Sequence, residues 1–457
     1  MNNAHPNTLN SPSTGMMSAM VALAFFAVGQ ICLLACLAVL LLFPDVLSGN
    51  PYRLEVTALA ALVLPGFAGS AVFGTFYAVS SVLTGSRLWS RPLAVAHWFL
   101  HTMGLCGMVL ALGGMPFLEN PFLGVGVGAV LQLIGVLLLF LNLVLTAAQH
   151  NRWEPESITV LFALFWLGVS AILGLTLLVH WNFDIFQAKA LRYIEVYAIV
   201  SMAGFLCLGI LGTTLKLFDM FLVGGLHTSG LMWTGCILIN LGLFMIPITA
   251  VSFDWSAQSV PVGIIFLGSL LYLISAFLRI RTSNSGLTSG IALATCGLVV
   301  GVGLIGLESL LLAGAITPPE LVDNFFREQV RMHASLTVLG TVLMLSLGTG
   351  THLVPLLVWR LRCLPVVREH NGPAADELID PRGLPVLLLC LLAGWIYIAA
   401  GQWNIQAAGV QLGVLCILIG ILWFFMVIRP AVMLFLFGAM TLDSDSELPS
   451  TPSHESV

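Results

Sequence analysis

Charge is scarce along nearly the whole of this chain, and that scarcity limits what it can fold into. Only 8% of the 457 residues are charged and 59% are hydrophobic, with a mean hydropathy of +1.03. A soluble domain carries about 25% charged residues. The apolar residues fall in long runs, and a helix needs about 20 of them to cross a bilayer. By that rule twelve spans are expected, near 16–44, 54–84, 92–115, 121–148, 157–181, 193–222, 227–252, 259–280, 286–314, 327–360, 384–402 and 406–438. The expected fold class is all-α: a polytopic membrane protein with one transmembrane domain over 16–440, in contact with a lipid bilayer. Residues 1–15 and the acidic 442–457 hold too little apolar surface to offset ordering and read as disordered tails.

The net charge of −5 comes mostly from Asp443, Asp445, Glu447 and Glu455 in that tail, so no nucleic-acid partner is expected. The nine cysteines form no CxxC pair; Cys32 and Cys36 share a helix face and read as buried small residues. No cleavable signal peptide is expected. An even number of spans puts both termini on one side. If that side is cytoplasmic, its loops carry Arg87, Arg91, Arg152, Lys216, Arg279, Arg281, Arg360, Arg362, Arg368 and Arg382. The opposite loops carry Arg53, Lys189, Arg192, Arg327 and Arg331. This bias favours both ends inside, in the inner (cytoplasmic) membrane.

Glycines eight residues apart recur in the second, sixth and tenth spans: Gly66/Gly74, Gly204/Gly212 and Gly340/Gly348. Such pairs lie near one helix face and let another helix approach closely. They divide the chain into three expected blocks of four helices, 16–150, 157–282 and 286–440, although glycine is common enough here for chance to produce the pattern.

Polar groups inside spans are costly, and each is a candidate for function. The stretch Arg331–Arg362, RMHASLTVLGTVLMLSLGTGTHLVPLLVWRLR, carries His333 and His352. A neutral imidazole in a helix-lined pocket can bind heme iron if its second ring nitrogen is held by an acceptor. A histidine bonded to a neighbouring helix is the plainer reading of His333, and interface anchoring that of His352. His97 and His101, one turn apart, can bind a metal with donors from other helices or can be hydrogen-bonded interior residues. Glu195, Tyr197 and Glu308 are candidates for a polar or proton path. Lys216 and Asp219 are spaced to pair. Arg327, Glu328 and Arg331 form a charged collar. His150, His180 and His227 read as interfacial, as do Trp89, Trp98, Trp153, Trp181 and Trp359.

Three segments resemble subunit I of the heme-copper oxidase superfamily, most closely the C-family oxidases and nitric oxide reductases. They are His333-x6-Gly340-x7-Gly348-x6-Pro355, Arg87 to Gly104 (RLWSRPLAVAHWFLHTMG) and Glu195-Val196-Tyr197 with Ala203-Gly204-Phe205-Leu206. The resemblance implies twelve helices in three pseudo-symmetric groups of four. It implies heme b, one at most, with His333 at a heme-ligand position and Arg327 and Arg331 near the propionates. The departures are as informative. The family's tenth helix carries His-x-His, and here Ser335 stands at the second position. The second span has no histidine, and the sixth and seventh lack the copper ligands, so copper is not expected. A conventional oxygen reductase is therefore disfavoured.

The expected function is a heme-copper oxidase subunit I-like protein binding heme b through His333, with His97 and His101 as further candidate ligands. It would serve respiration or the nitric oxide response as an electron-transfer, sensing or accessory component, beside other respiratory subunits or a cytochrome c. Two alternatives stay open: a cofactor-free scaffold or assembly subunit, and a twelve-helix secondary transporter.

Overall fold

In a computed structural model, residues 12–48, 54–84, 88–113, 121–149, 154–183, 185, 190–222, 228–252, 258–283, 289–312, 342–362, 375–403 and 407–437 are described, and among them there is no strand. The first helix is α1 (Pro12–Leu42). The next, α2, is built from Leu54–Ala61, a π-helical stretch Leu62–Gly69 and Ser70–Thr84. Then come α3 (Arg91–Leu112), α4 (Pro121–Ala148) and α5 (Pro155–Phe183). Helix α6 again has a π-helical centre, with Ala190–Ile199, Val200–Cys207 and Leu208–Phe221 in sequence. They are followed by α7 (Ser229–Ser252), α8 (Ser259–Thr282), α9 (Ser289–Leu312), α10 (Leu343–Arg362), α11 (Leu384–Trp403), α12 (Ala407–Val427) and α13 (Arg429–Phe437).

Among the described residues nine helices are long and apolar enough to cross a membrane, and α9, α10 and α11 contribute shorter apolar stretches. The chain is a helical membrane protein. Its outer faces say the same: along α4 the exposed positions Leu123, Val127, Val130, Ile134, Leu137 and Leu141 are all apolar and spaced on one stripe. Against water that stripe would be unfavourable, whereas lipid tails solvate it.

Helix packing sets the interior. Helices α2, α6 and α10 touch one another at the centre of the bundle. Around them α1 lies against α2, α10 and α12, α5 against α4 and α6, and α9 against α8 and α10. Phe25, Phe67, Phe76, Tyr77 and Phe218 are fully buried there. Three hairpins, α3/α4, α7/α8 and α11/α12, close on paired glycines. A Cβ on Gly104 would sit 2.8 Å from the carbonyl oxygen of Gly128, one on Gly235 2.9 Å from that of Gly268, and one on Gly394 2.8 Å from that of Gly413. Backbones approach this closely only where neither helix carries a side chain, which is how bilayer helices gain dispersion energy without a hydrophobic drive.

The two π-helical stretches hold Gly66 and Gly204, the first glycines of the pairs noted above. A Cβ at Gly66 would meet Cys32 at 3.0 Å, and one at Gly204 would meet Trp166 at 2.7 Å. Cys32 and Cys36 are buried, unpaired thiols, as expected of small interior residues. Gly340 lies outside the described residues, as do both tails apart from residues 12–15.

The glycine crossings yield a direct test. Gly128→Ala places its methyl 2.5 Å from Met108 Cγ and should lower stability by about 1–3 kcal/mol, read as a drop in thermal unfolding temperature in detergent. Gly168→Ala, where nothing lies within 4 Å, should hold that temperature or raise it slightly, because alanine is the better helix former. Equal effects at both positions would show that the crossing is not tight.

Candidate functional site

Two polar clusters are buried in the apolar bundle. The first belongs to α1–α4. Ser90 caps α3, its Oγ accepting from Leu93 N at 3.5 Å, with Pro92 in the first turn. Asn142 of α4 holds this corner from the other side: it accepts from Ser90 N at 2.9 Å and donates to Ser90 O at 2.7 Å. Trp89 N donates to Thr146 Oγ1 at 3.0 Å. The start of α3 is thereby fixed in rotation against α4, and His97 and His101 turn inward, both fully buried.

The bonds of His101 define its tautomer. Gln132 Nε2 donates to the His101 carbonyl oxygen at 2.8 Å, which orients the amide so that Oε1 faces His101 Nδ1, also at 2.8 Å. An amide oxygen only accepts, so Nδ1 carries the proton. Nε2 then accepts from the Ser70 hydroxyl at 2.9 Å. His97 Nδ1 is 3.1 Å from the Tyr77 hydroxyl. The rings of Phe25 and Phe73 fill the space around both imidazoles, at centroid distances from 4.9 to 5.6 Å. Ligation of iron or another metal through His101 therefore requires loss of the Ser70 or the Gln132 bond, and ligation through His97 Nδ1 loss of the Tyr77 bond. As packed, His101 does not fit as a heme ligand: both of its nitrogens are engaged and aromatic rings occupy the adjoining volume.

The second cluster belongs to α5–α8, and sequence reasoning missed its centre. Arg279, at 1% exposure, pairs with Glu156, at 0%, at 2.9 Å. Arg279 also donates to Leu215 O at 3.0 Å and lies 2.9 Å from Met232 Sδ. One guanidinium thus ties α5, α6, α7 and α8 together. Glu156 stands in the first turn of its helix and Arg279 in the last turn of its own, so each charge also suits its helix dipole. Three residues further along α5, Thr159 meets the Tyr272 hydroxyl at 2.5 Å. Trp166 Nε1 donates to Asn240 Oδ1 at 2.8 Å, and Asn240 donates to Cys236 O at 2.8 Å. Ser170 bonds Ser201, whose hydroxyl reaches Tyr197 O at 2.6 Å. The stripe Glu156, Thr159, Trp166, Ser170 runs at helical spacing down one face of α5. That spacing was the available signal, hidden because Glu156 and Arg279 sit at span ends and read as loop charges.

The other sequence candidates are dispersed. Tyr197 lies on α6 with its ring against Gly174 of α5. Lys216 pairs at 2.5 Å with Glu154, a partner not foreseen from spacing, while the side chain of Asp219 is outside the described residues. His180 is buried in the last turn of α5, whereas His352 is half-buried at the middle of α10 (Leu343–Arg362). His333, Arg327 and Arg331 lie outside the described residues, as do His150, His227 and the side chains of Glu195 and Glu308. Among the described residues no three His, Cys, Asp or Glu side chains are grouped to hold a metal ion.

Both clusters have measurable weight. Arg279→Leu leaves Glu156 charged and unpaired in the bundle and should cost about 3–5 kcal/mol, whereas Arg279→Leu combined with Glu156→Leu should recover most of it. A double-mutant cycle of thermal unfolding reads the difference; equal losses in the single and double variants would contradict it. Gln132→Leu strips His101 of two bonds and should cost about 1–3 kcal/mol in the same assay. The chain matches no family model and no curated protein.

Proposed function

We propose that the chain is a membrane protein with the architecture of heme-copper oxidase subunit I, twelve spans in three groups of four. Both termini face the cytoplasm, and the protein serves respiration or the nitric oxide response as an electron-transfer or accessory component. One packing observation carries the reading: α2 and α6, which bear the spaced glycines, meet α10, which bears Gly348, at the centre. Corresponding details support it. The π-helical stretches of α2 and α6 span Leu62–Gly69 and Val200–Cys207, at the same positions relative to Gly66/Gly74 and Gly204/Gly212. In the same register the carbonyl of Tyr77 accepts from Ser18 at 2.7 Å, and the carbonyl of Leu215 accepts from Arg279. Each block's first helix also packs against the last helix of another block: α1 on α12, α5 on α4, α9 on α8.

A b-type heme belongs to this reading through His333, with Arg327 and Arg331 beside its propionates, since both ring nitrogens of His101 are committed to Ser70 and Gln132 and the rings of Phe25 and Phe73 pack on His97. A partner respiratory subunit or a cytochrome c completes the proposal. A second reading, a cofactor-free scaffold in a respiratory complex, draws on the closed hydrogen bonding of His101 and the aromatic filling around it.

A reduced-minus-oxidised visible spectrum of detergent-purified protein decides between them. A b-type α-band that is lost in His333→Ala and kept in His97→Gln and His101→Gln is the expected outcome. Folded protein without heme sinks the first reading and leaves the scaffold, and loss of the band in His101→Gln alone would move the ligand to α3.

A further inference from the structure

The α11/α12 hairpin turns two apolar stripes outward, and both finish in arginine at the same end. On α12 the exposed positions Leu415, Ile419, Leu422 and Met426 follow at steps of three or four, the spacing of one helix face. Ile428 N donates to Phe424 O at 3.1 Å, so the helical turn carries on past Val427. The next position of the stripe is the exposed Arg429. On α11 the exposed Pro385, Leu389 and Ile396 share a face, and three residues before them stands Arg382, also exposed, in the short turn Pro381–Gly383. That turn is pinned to the last turn of α12. Asp380 N donates to Val427 O at 2.9 Å, and a Cβ on Gly383 would meet Val427 Cγ2 at 2.7 Å and Trp423 Cε3 at 3.4 Å. Trp423 is itself exposed, as tryptophans at the headgroup level are. Two acids lie near. Asp380 Oδ1 accepts from the backbone N of Arg382 at 3.0 Å, and Glu377 belongs to the turn Ala375–Leu378, which packs on α10 and α13. Among the described residues no carboxylate pairs with the guanidinium of Arg382 or Arg429.

We propose that this corner is a binding site for an anionic diacyl phospholipid, with Arg382 and Arg429 on its phosphate and its chains along the stripes of α11 and α12. A guanidinium that ends a lipid-facing stripe stands at headgroup depth and can give a phosphate two parallel N–H bonds. The stripes commit the site to a lipid, since a free phosphate would use the arginines and leave the apolar faces unused. The sign of the headgroup follows from charge: a zwitterionic lipid brings its own cation towards the two arginines, whereas an anionic one does not. The proposal is independent of heme binding.

Thermal unfolding of the full chain in neutral detergent, titrated with phosphatidylglycerol or with phosphatidylcholine of the same chains, reads the preference. Phosphatidylglycerol should raise the unfolding temperature at the lower lipid concentration. Arg382→Gln and Arg429→Gln should each raise the concentration needed for half of that shift by about fivefold, and the double variant should respond to the two lipids alike. Arg281→Gln removes an exposed arginine from the last turn of α8 and should leave the preference in place. An equal loss there would show a response to net charge and overturn the site. No preference in the wild type overturns the proposal before any variant is made, and a preference kept in the double variant overturns it as well. Inorganic phosphate should raise the temperature less than phosphatidylglycerol does; an equal rise would assign the arginines to a free anion instead. If the double variant does not fold, native mass spectrometry of the single variants counts the phosphatidylglycerol each retains. Fewer retained lipids than in the wild type support the site, and an unchanged count overturns it.

Discussion

Hydrocarbon offers no hydrogen-bond partner, and most of this structure follows from that. A polar atom carried into the bundle is costly unless another atom of the chain answers it. The simplest answers are local: the hydroxyls of Thr75, Thr102, Thr146, Thr213, Thr295 and Thr349 each donate to the carbonyl four residues back. These bonds cost nothing in tertiary arrangement and say nothing about function. Groups with two or more bonding atoms cannot be answered within one helix. Asn142, His101, Gln132 and Arg279 all reach across to neighbours, and those reaches fix how the helices are rotated.

The clusters and the glycine crossings act together. A glycine crossing brings two helices close but leaves them free to slide, because its contacts are dispersive and similar over neighbouring registers. A hydrogen-bonded side chain has one satisfied register. In the α3/α4 hairpin the His101–Gln132 pair lies beside the Gly104–Gly128 approach, and Ser90–Asn142 holds the same two helices further toward the start of α3. In α7/α8 the Gly235–Gly268 approach lies beside Tyr272, whose hydroxyl is bonded to Thr159 of α5. Closeness comes from the glycines, and position from the polar pairs.

Much of the fold is legible in the order of residues. Apolar run length gives helical spans across a bilayer, and the glycine pairs mark α2 and α6 as helices that others approach closely. The inward placement of His97 and His101 follows from their spacing of four. Their bonding does not, because Ser70 and Gln132 are each 31 residues from His101 along the chain. Glu156 and Arg279 are farther apart still, 123 residues. Each looks like an ordinary charge at the end of a span, and only the meeting of α5 with α8 makes them a buried pair. The π-helical stretches are likewise invisible beforehand: LVLPGFAG contains a proline that suggests an irregularity, but VSMAGFLC contains none.

The order of residues alone dictates the solvent of this protein and the class of its fold. Transfer of apolar surface into lipid is additive along the chain and needs no knowledge of neighbours, so composition and run length suffice. Which buried polar groups meet is set by how the helices pack. A hydrogen bond depends on distances of tenths of an ångström between residues far apart in sequence, and no local pattern encodes these. So the histidines could be named as candidates from their positions, while their bonds to Ser70, Gln132 and Tyr77, and the Glu156–Arg279 pair that joins four helices, emerged only when the helices were packed.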